Sequence, residues 1–166
     1  MTQTPTSRLA FQAQAFGYGW ADWSPTEFAR QIKHATKVFA EVQKELEVDA
    51  IAFSGSSGAA IAFPLCAAHK VPLMYIRKAH ERSHGADLEY ISNKAIRRYM
   101  IVDDFVCSGA TVRRIHKKVL DYANKRGSVA PECVGLFLYA APFKCPDTFN
   151  VGTGKKELHV PVYTTR

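Results

Sequence analysis

Two adjacent carboxylates, Asp103 and Asp104, stand at the end of an apolar run and just before a loop of small, hydroxyl-bearing residues. The stretch over 99–111 reads Tyr-Met-Ile-Val-Asp-Asp-Phe-Val-Cys-Ser-Gly-Ala-Thr. Such a loop suits a phosphate. Backbone N–H groups at the start of a helix point at the ligand, and the helix dipole favours an anion there. Ser108 and Thr111 add hydroxyl donors, and Gly109 permits a positive φ or a close backbone approach. The neighbouring carboxylates should not bind another anion. They suit hydroxyls, or a Mg²⁺ that the ligand brings. The implied ligand has a phosphate on one side and a diol on the other, such as a phosphorylated ribose.

Position follows from the flanking elements. Met100, Ile101 and Val102, between Arg97-Arg98 and Asp103-Asp104, predict a short buried strand that stops at the acids. Val112, Ile115, Val119 and Leu120 recur at helical spacing to about Tyr122. The acids therefore fall at the carboxyl end of a strand, where open α/β sheets bind ligands. A strand and capped helix with merely solvated acids is the plainer alternative. It leaves the doubled acid and the Ser-Gly-Ala-Thr order unexplained.

Residues 102–111, from Val102 through Asp103, Asp104, Phe105, Val106, Cys107, Ser108, Gly109 and Ala110 to Thr111, resemble the phosphoribosyl pyrophosphate (PRPP) signature of type I phosphoribosyltransferases. That signature is an apolar strand, two acidic residues and a Thr/Ser-Gly-x-Thr loop. The resemblance implies that Asp103 and Asp104 hold the ribose hydroxyls and serve as the catalytic pair. It implies that Cys107, Ser108, Gly109, Ala110 and Thr111 hold the 5′-phosphate. Mg²⁺ is the implied cofactor, bridging pyrophosphate and ribose oxygens and met by Asp103 and Asp104 directly or through water. The implied reaction is attack by a nitrogen on C1 of PRPP with loss of pyrophosphate, the acceptor being a nucleobase or similar compound.

Upstream, Ala50 to Phe53 form an apolar strand, and Ser54, Gly55, Ser56, Ser57 and Gly58 follow as a second small-residue loop before a helix expected over 59–68, with Pro64 as a local irregularity. This is either a plain turn between strand and helix or, as the resemblance implies, the loop that carries pyrophosphate. An apolar strand over 71–76 closes on Arg77 and Lys78. Those cations are either solvated strand-end charges or, by the resemblance, pyrophosphate contacts suited to a developing polyanion. Ser24, Pro25 and Glu27 open an amphipathic helix, with a Ser cap, Pro at the first position and Glu at the third, running to about Glu47. Further strands are expected over 134–139 and 158–163, with a loop over 143–156. Alternating strands and helices argue for an α/β fold with a doubly wound, mostly parallel sheet flanked by helices. The resemblance covers roughly 49–140 and adds a small hood.

The segment 16–23, rich in aromatic residues and glycine, reads as a plug for the open end of the core, or as a hood whose rings stack on a planar acceptor. Residues 79–93 are polar and lack periodicity; the family's flexible closing loop falls there. That segment contains His80-Glu81-Arg82-Ser83-His84, an H-E-x-x-H match. Gly85 follows at once and the flanks lack an apolar helical face, so a zinc peptidase is a poor reading. The Gly-rich run at 152–156 lacks the spacing of a nucleotide-binding P-loop.

With 166 residues, 47% of them hydrophobic and 22% charged, one soluble domain over 1–166 is expected. No apolar run approaches the ~18 residues of a membrane span. The start lacks a secretory pattern, and Cys66, Cys107, Cys133 and Cys145 lack metal or redox spacing, so reduced thiols in the cytoplasm are the default. The net charge of +7 is spread along the chain without a basic tail or nucleic-acid motif, which argues against a nucleic-acid partner. Small-molecule substrates and a homodimer are expected instead. Cys107 stands where enzymes of this family acting on 6-oxopurines commonly carry Asp, and a neutral thiol is a weak proton acceptor. That disfavours a 6-oxopurine acceptor and leaves orotate-like, adenine-like and other acceptors open. A PRPP-binding regulator without turnover is the alternative function.

Overall fold

The computed structural model describes residues 24–78, 81, 88–90, 92, 95–141, 145–154 and 156–165. The expected hood, the two histidines of the H-E-x-x-H match and most of the expected closing loop lie outside these residues.

Helix α1 (Pro25–Leu46) opens on the predicted capping box: the Glu27 backbone N–H donates to Ser24 Oγ, and the Glu27 carboxylate accepts from the Ser24 N–H at 2.8 Å. Its apolar stripe buries Ala35, Phe39 and Val42. Strand β1 (Ala50–Phe53), helix α2 (Gly55–His69) and strand β2 (Leu73–Ile76) follow, then β3 (Leu88–Tyr90). The central unit is β4 (Arg98–Asp103) and helix α3 (Ala110–Lys125), and the chain finishes with β5 (Glu132–Leu138), β6 (Thr148–Asn150) and β7 (His159–Thr164).

The seven strands form one sheet in the order β3-β2-β1-β4-β5-β7-β6. The five inner strands are parallel, and β3 and β6 pair antiparallel at the two edges. Side chains alternate across the sheet. Ile51, Phe53, Met100, Val102 and Phe137 pack with Phe39 of α1 and Ile61 and Leu65 of α2. Ala50, Ala52, Tyr99, Ile101, Leu136 and Leu138 pack with Val112, Ile115 and Val119 of α3 on the other face. Inner strands buried on both faces explain the continuous apolar runs in the sequence.

Most element ends fall within a few residues of expectation, and three differences go further. Helix α2 starts at Gly55, so most of the predicted loop is its first turn. Serine and glycine are poor helix formers, but Gly58 packs against Phe53 and the Val102 carbonyl, and that tertiary contact holds the turn. Strand β3 lies within the stretch predicted to be irregular, and β6 within the predicted 143–156 loop. Three residues are too few to display a period. All four cysteines are free thiols. Among the described residues no helix is long and apolar enough to cross a membrane.

Candidate active site

From β1 the chain winds outward to β2 through α2, and from β4 it winds the other way to β5 through α3. The direction reverses between the paired strands β1 and β4, so the loops that leave their carboxyl ends diverge and open a crevice. A cleft of about 230 Å³ lies there. Ser54, Ser56 and Ser57 line it from the first unit, Lys78 from the end of β2, and Asp103, Asp104 and the run 105–112 from the central unit. Residues 46 or more positions apart in sequence thus meet, as Ser57 and Asp103 do.

The helix starts differ in a way that matters for ligands. α1 is closed by a capping box, whereas the cap residues Ser54 of α2 and Gly109 of α3 make no side-chain cap bond, although Ser108 Oγ accepts from the Ala110 N–H at 3.3 Å, and neither helix carries an acidic residue in its first turn. Two positive helix ends therefore face one cleft without an internal carboxylate to satisfy them. Glycine makes each approach possible. Gly109 caps α3 at φ 72°, and Gly55 begins α2 at φ 69°. A Cβ on Gly109 would lie 2.2 Å from Phe149 Cζ, and one on Gly55 would lie 2.6 Å from Lys78 Cε. Lys78 thus runs directly over the backbone of the first loop.

The acidic pair is buried, Asp103 being 6% exposed and Asp104 4%. Asp103 Oδ1 accepts from Ser57 Oγ at 3.1 Å and from the Asp104 N–H at 3.0 Å. Asp104 Oδ1 accepts from the Phe105 N–H at 2.9 Å. Burial, reinforced by the charge on Asp104, pushes the Asp103 carboxyl up to about 7. Burial also raises Asp104, against the opposing pull of its backbone hydrogen bond and of the Lys78 ammonium. Tyr139, at the end of β5, donates from its hydroxyl to the Ser57 carbonyl at 2.8 Å, and its own ionisation is displaced upward by burial and by the two acids.

The cleft thus brings together Ser54, Ser56, Ser57, Lys78, Asp103, Asp104, Cys107, Ser108, Gly109, Ala110 and Thr111. Gly55 lies beneath Lys78, Gly58 faces the core, and Arg77 forms an ion pair with Glu89 of β3 while lying 5.6 Å over the Tyr75 ring. Sequence reading missed four neighbours. Arg113 donates to the Ser108 carbonyl and lies over Phe149, Arg114 donates to Ser54 Oγ, and Tyr139 braces Ser57. In the sequence the two arginines are only a local density of charge, and Phe149 and Tyr139 belong to distant segments.

No protein-family model and no curated protein matches the sequence. Solved structures do match the fold. An adenine phosphoribosyltransferase superposes with a TM-score of 0.56 at 20% identity, over 86% of this chain and 82% of that one. The adenine phosphoribosyltransferase of Saccharomyces cerevisiae, solved with D-2,5-dideoxy-2,5-imino-altritol 1,6-bisphosphate and adenine, gives 0.55 at 16% identity, over 86% and 80% of the two chains. The orotate phosphoribosyltransferase of Aeropyrum pernix gives 0.51 at 16% identity, over 69% of this chain and 59% of that one. The fold is that of the type I phosphoribosyltransferases. The chain spans about four-fifths of the adenine enzymes but only 59% of the orotate enzyme. Within the phosphoribosyltransferase fold, the cleft described above lies where the sheet order reverses, between the ends of β1 and β4.

Proposed function

We propose that the chain transfers the 5-phosphoribosyl group of PRPP to a nitrogen acceptor, a nucleobase or similar heterocycle, and releases pyrophosphate. The observation that carries this reading is the convergence of two helix starts free of acidic side chains, Lys78 and a buried acidic pair on one cleft. Few ligands need two anion sites flanking an acceptor for hydroxyls; PRPP does.

In this reading Cys107, Ser108, Gly109, Ala110 and Thr111 bind the 5′-phosphate through N–H and hydroxyl donors. Ser54, Gly55, Ser56, Ser57 and Gly58 with Lys78 bind the pyrophosphate; Arg77 joins them if it leaves Glu89. Asp103 and Asp104 accept hydrogen bonds from the ribose hydroxyls. The nitrogen forms a bond to C1 as the bond from C1 to pyrophosphate breaks. The electron pair departs with pyrophosphate, and the nitrogen gives up its proton. Catalysis is then mostly positioning, with the helix starts and Lys78 stabilising the charge that grows on the leaving group.

The acidic pair fits a divalent cation. Burial holds both carboxyls toward protonation, Asp103 further so by the charge on Asp104, and a cation would offset these effects. Among the described residues no group of three or more metal-ligating side chains converges, so Mg²⁺ would take the rest of its oxygens from PRPP and water. When bound it would neutralise part of the pyrophosphate charge. A homodimer working in the cytoplasm belongs to the same reading.

Calorimetric titration with PRPP and Mg²⁺, followed by pyrophosphate release across a panel of bases, tests it. Binding with release supports the transferase and identifies the acceptor. Binding without release on any base favours a PRPP-binding regulator. No binding rejects the reading.

A further inference from the structure

We infer that Arg114 is a positioning residue for the Ser54 loop, acting through the Ser54 hydroxyl and holding the start of α2 in place to receive pyrophosphate. This rests on the proposed phosphoribosyl transfer and deepens it.

Ser54 occupies the cap position of α2, where a serine would ordinarily accept from the helix's own N–H groups. It does not; its extended backbone and 2% exposure fix it at the end of β1, and its Oγ accepts from Arg114 Nη2 at 2.9 Å. The arginine therefore anchors the start of α2 to the neighbouring helix through that hydroxyl. The α2 N–H groups remain available to an external anion.

Arg114 comes from α3, the helix that begins in the other loop, and it does not itself line the cleft. It thus ties the first loop to the start of the second helix. Its neighbour Arg113 braces the other side by donating to the Ser108 carbonyl. Two cations near the positive end of α3 are unfavourable for the helix on its own. The Arg114 Nε is also buried without a hydrogen-bond partner. This local cost makes sense if the guanidinium serves the neighbouring loop, and if bound anions offset its charge.

The test compares two fragments of PRPP by calorimetry on the full chain: Mg²⁺-pyrophosphate, and ribose 5-phosphate. Arg114→Met should weaken pyrophosphate about tenfold, the scale of one lost hydrogen bond to a charged group, and leave ribose 5-phosphate within about twofold. Ser54→Ala should reproduce that split. The double variant should be no weaker than Ser54→Ala alone, because both act through one contact, and Arg114→Lys should recover part of the loss. Equal losses for both fragments, or unchanged pyrophosphate affinity in Arg114→Met and Ser54→Ala, would overturn the inference. A wild-type chain that binds neither fragment would instead overturn the transferase reading beneath it.

Discussion

Ser57 Oγ donates to Asp103 Oδ1 across 3.1 Å, joining the first turn of α2 to the end of β4. The Ser57 carbonyl in turn accepts from the Tyr139 hydroxyl. One serine therefore ties three strand ends together, and the acid at the centre of the cleft reports on all of them.

Asp103 should make the empty protein's stability fall with pH. Its folded value of about 7 lies above the ~3.9 of an unfolded chain, so the folded state holds the extra proton between them. The stability this gives is complete below about pH 4 and is lost as pH rises through about 7. Asp103→Asn keeps an acceptor oxygen for Ser57 and should flatten that slope. Thermal melts of both proteins across this range would check it; identical slopes would contradict the buried-acid account.

PRPP affinity should run the opposite way. An ionised Asp103 is the better acceptor for a hydroxyl, so binding should weaken as pH drops below about 7. Asp104→Asn should weaken PRPP by about tenfold to a hundredfold at pH 8 without unfolding the protein, the range expected for hydrogen bonds to a charged group. Calorimetry with circular dichroism separates these effects, and unchanged affinity would remove the ribose role.

Gly109→Val should be damaging for two separable reasons. The position has φ 72°, and a side chain meets Phe149. The left-handed backbone alone costs about 1–2 kcal/mol for a residue with a Cβ. Adding Phe149→Ala should relieve the overlap but not the backbone cost, so the double variant should melt above Gly109→Val and below wild type. Retained turnover in Gly109→Val would contradict the phosphate-loop assignment.

Lys78→Met should reduce pyrophosphate affinity more than Arg77→Met does, by about tenfold. Lys78 lines the cleft, whereas Arg77 is paired with Glu89. Equal effects would mean that Arg77 leaves Glu89 when ligand binds.

Tyr99→Phe probes the core rather than the cleft. The buried Tyr99 hydroxyl lies 2.6 Å from His116 Nδ1. Burial holds Tyr99 protonated and His116 toward its neutral form, so the two share a hydrogen bond between neutral groups. Removing the hydroxyl leaves a buried ring nitrogen unpaired and should cost about 1–3 kcal/mol. A denaturant midpoint within error of wild type would refute this.

The central unit was legible because its information is local. The β4 apolar run, the acids and the Ser-Gly-Ala-Thr loop are contiguous, and β1 was bounded correctly at Ala50–Phe53. The start of α2 was not, because its glycines and serines become helical only against Phe53 and Lys78. The Arg114–Ser54 contact joins residues 60 positions apart and leaves no periodic trace. Strands β3 and β6 owe their existence to the neighbours they pair with, not to their own composition.

Those two short strands also govern how the molecule meets copies of itself. Among the described residues each rim of the sheet ends in three residues, set against the direction of the inner strands. A rim of that length offers an incoming chain little backbone to zip onto, which protects a parallel sheet from edge-to-edge aggregation. Short rims of this kind direct self-association of the folded protein toward side chains on its helices and loops, where it can be selective, and away from open-ended growth of the sheet.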